Sequence, residues 1–125
     1  MILLTTQDIL RLHQGIIRAT GGEPGIRDAG MIDSAVNSIY GGFDGVELYA
    51  TIEEKAARLC FGLVVNHGFV DGNKRIGTVA MLVTLKINGI NMVYSDSELT
   101  DLILNVAKHK SGYKEILDWI IRRRK

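Results

Sequence analysis

A chain of 125 residues with 46% hydrophobic and 23% charged residues has the composition of one ordinary globular domain rather than of a disordered segment. Its net charge of +1 argues against a direct nucleic-acid partner, and its single cysteine excludes a disulfide framework within the chain. No apolar run reaches the ~18 residues of a membrane span, and the N-terminus lacks a secretion signal, so we expect a cytoplasmic protein without membrane association.

Helical signals dominate the first part of the chain. Thr6 is expected to cap a first helix that runs to about Ala19, and Asp28 is expected to cap a second helix. Between them, "TGGEPG" contains the residues that end helices and form turns. The segment "YGGFDGVELYA" at 40–50 predicts a glycine-rich loop or a flap.

The third and fourth helices are predicted to meet at a short loop. Thr51 and Glu54 form a capping box for a third helix that ends near His67, where Gly68 is expected to take a positive φ. The fourth helix is expected over about 73–88, and a glycine directly after it marks its end.

Two more helices complete the prediction. Ser95 and Glu98 form another capping box, which starts a fifth helix, and 111–125 gives a sixth. The apolar segment "INMVY" at 90–94 suggests a short strand paired with "MILLT" at 1–5. The sequence therefore predicts an all-α fold, a single compact domain over the whole chain with about six helices and room for a short β-hairpin or flap.

The segment "NHGFVDGNKRIG" at 66–77 concentrates polar residues inside an otherwise apolar region. Phe69 and Val70 are expected to anchor this loop in the core. Lys74 and Arg75 open the fourth helix, although cations at a helix N-terminus oppose the macrodipole unless an anion binds there. Free backbone N–H groups and two permanent cations at a helix N-terminus together predict an anion site.

Three residues beside this anion site have the chemistry of group transfer. His67 suits a general base, because the ordinary pKa of histidine lies near neutral pH. Asp71 supplies a hard oxygen ligand for Mg²⁺, and Asn73 can donate to a phosphate oxygen. Each residue alone also fits ordinary turn and helix-end chemistry. Together they supply the parts that phosphoryl or nucleotidyl transfer requires.

The same segment resembles the signature of Fic-type proteins, histidine-x-phenylalanine-x-acid-glycine-asparagine-x-arginine. Lys74 stands where the wider class carries glycine, and Thr78 where it often carries a second arginine. Both departures resemble the Doc (death-on-curing) subgroup, as do "PGIRDAGMIDSA" at 24–35 and "TTQDILRLH" at 5–13. The positions that match the signature are His67, Phe69, Asp71, Gly72, Asn73 and Arg75.

This resemblance implies a Fic/Doc-like fold and a toxin of a toxin–antitoxin module. Such a toxin uses ATP and Mg²⁺ to phosphorylate a threonine of a translation factor, with elongation factor Tu as the type of target, and thereby blocks translation. His67 would activate the hydroxyl and Asp71 would hold Mg²⁺. Lys74 adds bulk and charge where glycine would leave room for the nucleotide orientation used in AMP transfer. The residues implied to bind the nucleotide phosphates are Gly72, Asn73, Lys74 and Arg75.

Other functions fit the same residues. A Fic-type AMP transferase that modifies a protein hydroxyl would use them all, and a non-catalytic partner-binding or DNA-associated regulator would use none of their chemistry. Many Fic proteins inhibit themselves through a segment with glutamate followed by glycine or asparagine, but no glutamate here has that neighbour. The resemblance therefore implies an external brake, a small antitoxin with an amphipathic helix that binds in a groove near the motif.

The remaining residues of interest have simpler interpretations. His13 lies between Leu10 and Ile17 in a helical pattern, which favours a structural or surface role over chemistry. Cys60 and Trp119 are expected to be core residues. The flap at 40–50 fits either a plain surface loop or an edge to which a target backbone adds as a strand.

Overall fold

The computed structural model describes all 125 residues and confirms the all-α prediction. Two antiparallel strands, β1 (Gly42–Phe43) and β2 (Val46–Glu47), form a short hairpin within the predicted flap, after a 3-10 turn at Ser38–Tyr40. None of the helices combines the length and the apolarity that crossing a bilayer requires. The six helices are α1 (Thr6–Thr20), α2 (Ala29–Asn37), α3 (Ile52–Asn66), α4 (Asn73–Ile87), α5 (Asp96–Ala107) and α6 (Tyr113–Arg123).

Helices α3 and α4 lie at the centre and pack against each other more extensively than any other pair. On one side they form a cluster with α5 and α6, which includes the buried Trp119. On the other side α3 and α4 form a second cluster with α1 and α2, which includes the buried Phe69. Cys60 is fully buried in the first cluster, and burial raises the pKa of its thiol to about 12. The core roles predicted for Cys60 and Trp119 are therefore confirmed.

Helices α3 and α4 come into close contact at Gly77. A Cβ atom at Gly77 would lie 2.6 Å from Cγ2 of Val64 and 3.1 Å from the main-chain oxygen of Cys60. These distances are too short for a side chain, so Gly77 allows the two helices to approach each other. This approach brings the N-terminal part of α4 beside the C-terminal part of α3.

Substitution of Gly77 by alanine should therefore lower the free energy of unfolding by about 1–3 kcal/mol, the usual cost of overpacking. The loss should appear even though alanine favours a helix over glycine by ~1 kcal/mol. Gly15→Ala is the matched control, since Gly15 is also inside a helix but its added Cβ would meet no atom within 4 Å. Urea denaturation should show a gain for Gly15→Ala. Equal gains for both variants would contradict the close contact at Gly77.

The first helix begins one residue earlier than predicted. Thr5, not Thr6, is the N-cap, because its hydroxyl accepts from the backbone N–H of Asp8 while the Asp8 carboxylate accepts from the backbone N–H of Thr5. Only Thr5 has an acidic residue three positions later, as a capping box requires. Thr6 instead donates its hydroxyl to the carboxylate of Asp33, which links α1 to α2.

The capping of the other helices follows the prediction with one exception. Asp28 and Thr51 cap α2 and α3 through their side chains, and Thr51 forms the full capping box with Glu54. At α5, Ser95 accepts from the backbone N–H of Glu98, but the Glu98 carboxylate does not return a bond. That carboxylate accepts hydrogen bonds from the Trp119 indole and the Arg123 guanidinium of α6, and the bonds from Arg123 hold its pKa below the ordinary value.

The predicted pairing of 90–94 with the N-terminus is wrong. Met92 forms an isolated antiparallel bridge with Arg124, and the Val93 N–H donates to the main-chain oxygen of Arg123. The C-terminal residues therefore occupy the edge that we assigned to 1–5. The N-terminal segment is held instead by the side chain of Asn88, which exchanges two hydrogen bonds with the backbone of Ile2.

A buried lysine fixes the base of the hairpin. Lys55 on α3 is only 3% exposed, and its ammonium group donates to the main-chain oxygens of Ile39 and Tyr49 and to the carboxylate of Glu47. Three acceptors satisfy the three donors of the ammonium group, so its burial is compensated. The hairpin is thereby tied to α3, the same helix that ends at the candidate site.

Candidate active site

The residues singled out in 66–77 meet in one cleft, where α3 ends and α4 begins. The cleft has a volume of about 420 Å³. The end of α1 and Ala107 of α5 complete its wall. All the candidate catalytic, nucleotide-binding and metal-binding residues line it, namely His67, Asp71, Gly72, Asn73, Lys74 and Arg75.

His67 is the residue that ends α3, and it is exposed to the cleft. It adopts the left-handed conformation itself, with φ 50° and ψ 48°, whereas we expected Gly68 to take the positive φ. Glycine is needed at position 68 for a different reason, because a Cβ there would lie 2.4 Å from Cγ1 of Ile32. The loop therefore packs directly on α2, and the left-handed turn at His67 directs the chain away from α3.

An arginine from the segment before α2 clamps the end of α3. The Arg27 guanidinium donates from Nε to the main-chain oxygen of His67 and from Nη2 to that of Asn66, the latter at 3.1 Å. The backbone N–H groups of Arg27 and Asp28 both donate to the main-chain oxygen of Gly68 at 2.9 Å. These bonds satisfy carbonyl groups that a helix end leaves without partners, and the cation complements the helix dipole. This role of Arg27 was not predicted, because its partners lie about 40 positions later in the chain.

Arg27→Gln should lower the free energy of unfolding by about 1 kcal/mol, because charge-assisted bonds to the α3 carbonyls are lost. It should also slow any reaction that depends on the position of His67. Arg18→Gln is the matched control, since Arg18 is an exposed arginine in the last turn of α1. Thermal unfolding and group-transfer assays should separate the two variants. Identical behaviour would show that the clamp does not position His67.

Asp71 presents its carboxylate at the turn before α4. One oxygen accepts from the backbone N–H of Gly72 at 2.9 Å, and the other accepts from the N–H of Glu23 at 3.4 Å. A Cβ at Gly22 would lie 2.6 Å from that second oxygen, so only glycine allows the end of α1 to come this close. The role of Gly22 was not predicted, since glycines near a helix end usually indicate only a turn.

The Asn73 side chain closes the loop. Its oxygen accepts from the Phe69 N–H at 3.1 Å, and its nitrogen donates to the Phe69 main-chain oxygen at 3.0 Å. We expected this amide to donate to a phosphate. In the structure it holds the loop backbone, and the main-chain N–H of Asn73 is the group left without a protein acceptor.

Phe69 and Val70 point in opposite directions, as neighbours in an extended segment do. Phe69 is buried and pairs as an isolated bridge with Ile26. Val70 is 54% exposed, so the prediction that both residues anchor the loop is right for Phe69 and wrong for Val70. The Val70 backbone still contributes, because its N–H donates to the main-chain oxygen of Gly25.

The start of α4 has the properties of an anion site. Its hydrogen-bond ladder begins with the bond from the Ile76 N–H to the Gly72 oxygen, which leaves the N–H groups of Asn73, Lys74 and Arg75 without protein acceptors. The side chains of Lys74 and Arg75 are exposed, and neither belongs to the ion pairs of the chain. Free donors, a helix dipole and two unpaired cations together favour a phosphate group.

The residues of the cleft fit magnesium bound together with a nucleotide. No three His, Cys, Asp or Glu side chains converge to form a metal cage anywhere in the chain. Mg²⁺ characteristically binds through one or two carboxylates, substrate phosphates and water. Asp71 supplies one such carboxylate beside the anion site. It is therefore the residue that would bind Mg²⁺ when the metal enters together with a nucleotide.

Comparisons with known proteins identify the family of the chain. The model of the Fic/DOC family matches residues 3–85, which include every residue of the cleft except Ala107. The chain is 38% identical to Toxin Doc of Mycolicibacterium smegmatis over 91 residues, which are 71% of this chain and 70% of that protein. It is 26% identical to Protein kinase doc of Escherichia phage P1 over 119 residues, 95% of this chain and 93% of the relative. This chain belongs to the Fic/DOC family.

Proposed function

We propose that the chain is a Doc-type toxin that transfers the γ-phosphate of Mg·ATP to a threonine of elongation factor Tu and thereby blocks translation. The observation that carries this proposal is the arrangement of the cleft. A histidine, a single carboxylate and the free, doubly cationic N-terminus of α4 line the same small volume. The names of the relatives, a toxin and a protein kinase, support both halves of the proposal.

The mechanism follows from the chemistry of these residues. The free N–H groups at the start of α4, with Lys74 and Arg75, bind the phosphates and stabilise the charge that grows on them. Asp71 would hold Mg²⁺ beside this anion site, where the metal would supply further neutralisation of the phosphate charge. His67 takes the proton of the threonine hydroxyl as its oxygen bonds to the γ-phosphorus. The bond from that phosphorus to the bridging β–γ oxygen breaks, and ADP leaves.

Lys74 is the residue that favours phosphate transfer over AMP transfer. A lysine side chain occupies space and adds positive charge where glycine would leave the helix start open to the phosphates of a nucleotide in the other orientation. AMP transfer by the same cleft would instead join the hydroxyl oxygen to the α-phosphorus and release pyrophosphate. The two reactions therefore leave different parts of the nucleotide on the target.

Incubation of the protein with a bacterial lysate and ATP labelled at either the α- or the γ-phosphate distinguishes the two reactions. We expect a labelled protein band with the γ-label only, and its loss when Mg²⁺ is chelated. Transfer of the α-label to protein would contradict the kinase proposal and favour the AMP transferase. Absence of transfer with both labels, in a lysate that contains active translation factors, would favour a non-catalytic regulator.

A groove beside the cleft suits the antitoxin that such a toxin requires. It has a volume of about 740 Å³ and runs between α1, α4 and α5. Its walls are mostly apolar or uncharged, and it shares Thr20, Lys74 and Arg75 with the cleft. We propose that an amphipathic helix of a small antitoxin binds here, so that the occupant also covers the two cations.

A substitution in the groove but outside the cleft tests this partner. Ala19→Glu places a charge on the exposed groove-lining face of α1, at a residue that does not line the cleft. We expect the variant to keep γ-phosphate transfer but to escape neutralisation when toxin and antitoxin are produced together. The readout is growth of cells that carry both genes. Full neutralisation of Ala19→Glu would place the antitoxin elsewhere.

A further inference from the structure

His13, a histidine of α1 outside the motif, contacts the loop that carries the site residues without lining the cleft. His13 on α1 is 1% exposed, and its Nε2 lies 2.8 Å from the main-chain oxygen of Asp71. Its ring stacks on the Phe69 ring with 3.7 Å between centroids and an angle of 10° between planes. Of the structural or surface role expected for His13, burial supports the structural one, and its contacts are with the motif itself although it does not line the cleft.

The hydrogen bond has a definite direction. A carbonyl oxygen only accepts, so Nε2 of His13 carries a proton and donates it to Asp71. Asp71 lies before Gly72, the N-cap of α4, so its main-chain oxygen is outside the helical hydrogen-bond ladder. The bond from His13 gives this oxygen a partner within the protein.

The turn after Asp71 also depends on α1. Gly72 adopts φ 81°, and a Cβ there would lie 3.4 Å from both Nε2 of His13 and Cδ1 of Ile17. The side chains of α1 therefore lie beside the turn, at a distance where an added Cβ would make ordinary contact. Because His13 also bonds to the Asp71 oxygen, we expect a shift of His13 to move the turn that carries the Asp71 carboxylate.

We propose that His13 is a positioning residue of the active site. Its hydrogen bond holds the Asp71–Gly72 turn, which places the Asp71 carboxylate for the metal at the start of α4. The identity of the ligand rests on the proposed function, whereas the hydrogen bond and the turn do not. No residue of the Fic-type signature supplies this contact, because His13 lies 58 positions before Asp71.

Two substitutions separate the hydrogen bond from the packing. His13→Gln retains an N–H donor at about the distance of Nε2, and His13→Phe retains an aromatic ring against Phe69 but removes the donor. Thr84→Val is the matched control, since Thr84 is also buried on the hydrophobic side of a helix and donates its hydroxyl to the main-chain oxygen of Ala80, outside the cleft. Circular dichroism and thermal unfolding establish that each variant is folded.

The measured quantities are the affinity for Mn²⁺ with a non-hydrolysable ATP analogue, followed by electron paramagnetic resonance, and the KM and kcat with Mg·ATP. We expect His13→Phe to weaken Mn²⁺·nucleotide binding and raise KM by roughly 10- to 100-fold, the usual effect of losing a group that orients a metal ligand. His13→Gln should restore most of the affinity, and Thr84→Val should match the wild type. A folded His13→Phe with wild-type affinity, or a His13→Gln no better than His13→Phe, would overturn the proposal.

A second measurement needs no variant and no nucleotide. In the ¹⁵N,¹³C-labelled full chain, NMR should show a proton on Nε2 of His13 and a scalar coupling across the hydrogen bond to the Asp71 carbonyl. An unprotonated Nε2 would overturn the positioning role even if His13→Phe failed to fold. A wild-type chain with this hydrogen bond but without affinity for Mn²⁺·nucleotide would overturn the proposed function and the assignment of the ligand, while the contact with Asp71 would stand.

Discussion

Replacement of His67 by alanine should reduce phosphate transfer by about 100- to 10,000-fold, the range associated with loss of a general base. His67 is the only histidine that lines the cleft, and no other side chain there suits proton transfer near neutral pH. The fold should survive, because the side chain is exposed and makes no hydrogen bond, while the bonds to Arg27 involve only the main chain. Toxicity in growing cells should fall with the transfer rate.

His109→Ala is a close control for this experiment. His109 is also exposed and also adopts a positive φ, 60° against 50° for His67, but it lies outside the cleft. Both variants should therefore change stability by similar small amounts. In rapid-quench assays with γ-labelled ATP, His109→Ala should transfer phosphate at the wild-type rate, whereas His67→Ala should not. If His67→Ala remained as active and as toxic as His109→Ala, the catalytic interpretation of the cleft would be wrong.

Asp71→Asn should reduce the rate by about 100- to 1,000-fold at ordinary Mg²⁺ concentrations, as expected when one strong electrostatic contribution at the reacting phosphate is removed. Asparagine keeps an oxygen that can accept from the Gly72 N–H, so the turn should remain. What is lost is the negative charge that favours the metal. A titration of activity against Mg²⁺ should show that the variant needs far more metal than the wild type.

The control for Asp71→Asn is Asp101→Asn, which removes the same charge from an exposed position on α5. It should leave the magnesium titration unchanged. An Asp71→Asn variant with a wild-type requirement for Mg²⁺ would show that Asp71 does not hold the metal. The anion site at α4 would then be the only part of the proposed chemistry that remains.

Local signals made most of the fold predictable. A helix start is determined by residues within one turn, so Asp28 and Thr51 were identified correctly, and the left-handed Gly89 follows α4 as expected. The error at Thr6 had the same origin, since the acid at position 8 matches Thr5 under the capping rule. The hairpin also followed from local glycines and turn residues.

The features that could not be predicted from the sequence depend on contacts between residues that are far apart in the chain. The segment 90–94 has an apolar pattern, but the pattern does not specify which of two chain ends pairs with it. The residues that support the site are also far from it in sequence. Arg27 lies 40 positions before His67, and His13 lies 58 positions before Asp71. An isolated histidine in an apolar helix face usually indicates packing, and only the fold shows that the packing partner is the loop of the candidate site.

The residues within 66–77 could be chosen from chemistry alone because their side chains are uncommon together at a helix start. Their individual roles were harder to predict. Asn73 looked like a phosphate donor, but its amide bonds to the Phe69 backbone. Gly68 looked like a left-handed cap, but its lack of a side chain is needed for contact with Ile32. The first difference is a local hydrogen-bond pair within the loop, and the second is a packing contact with α2 that a linear pattern does not describe.

The mass of purified elongation factor Tu after incubation with the protein and Mg·ATP tests the proposed γ-phosphate transfer directly. We predict that the factor gains the mass of one phosphoryl group, that fragmentation places the group on a threonine, and that His67→Ala leaves the mass unchanged. A gain of one adenylyl group would contradict γ-phosphate transfer. If the same enzyme preparation labelled another protein in a bacterial lysate but left purified elongation factor Tu unmodified, the proposed target would be wrong.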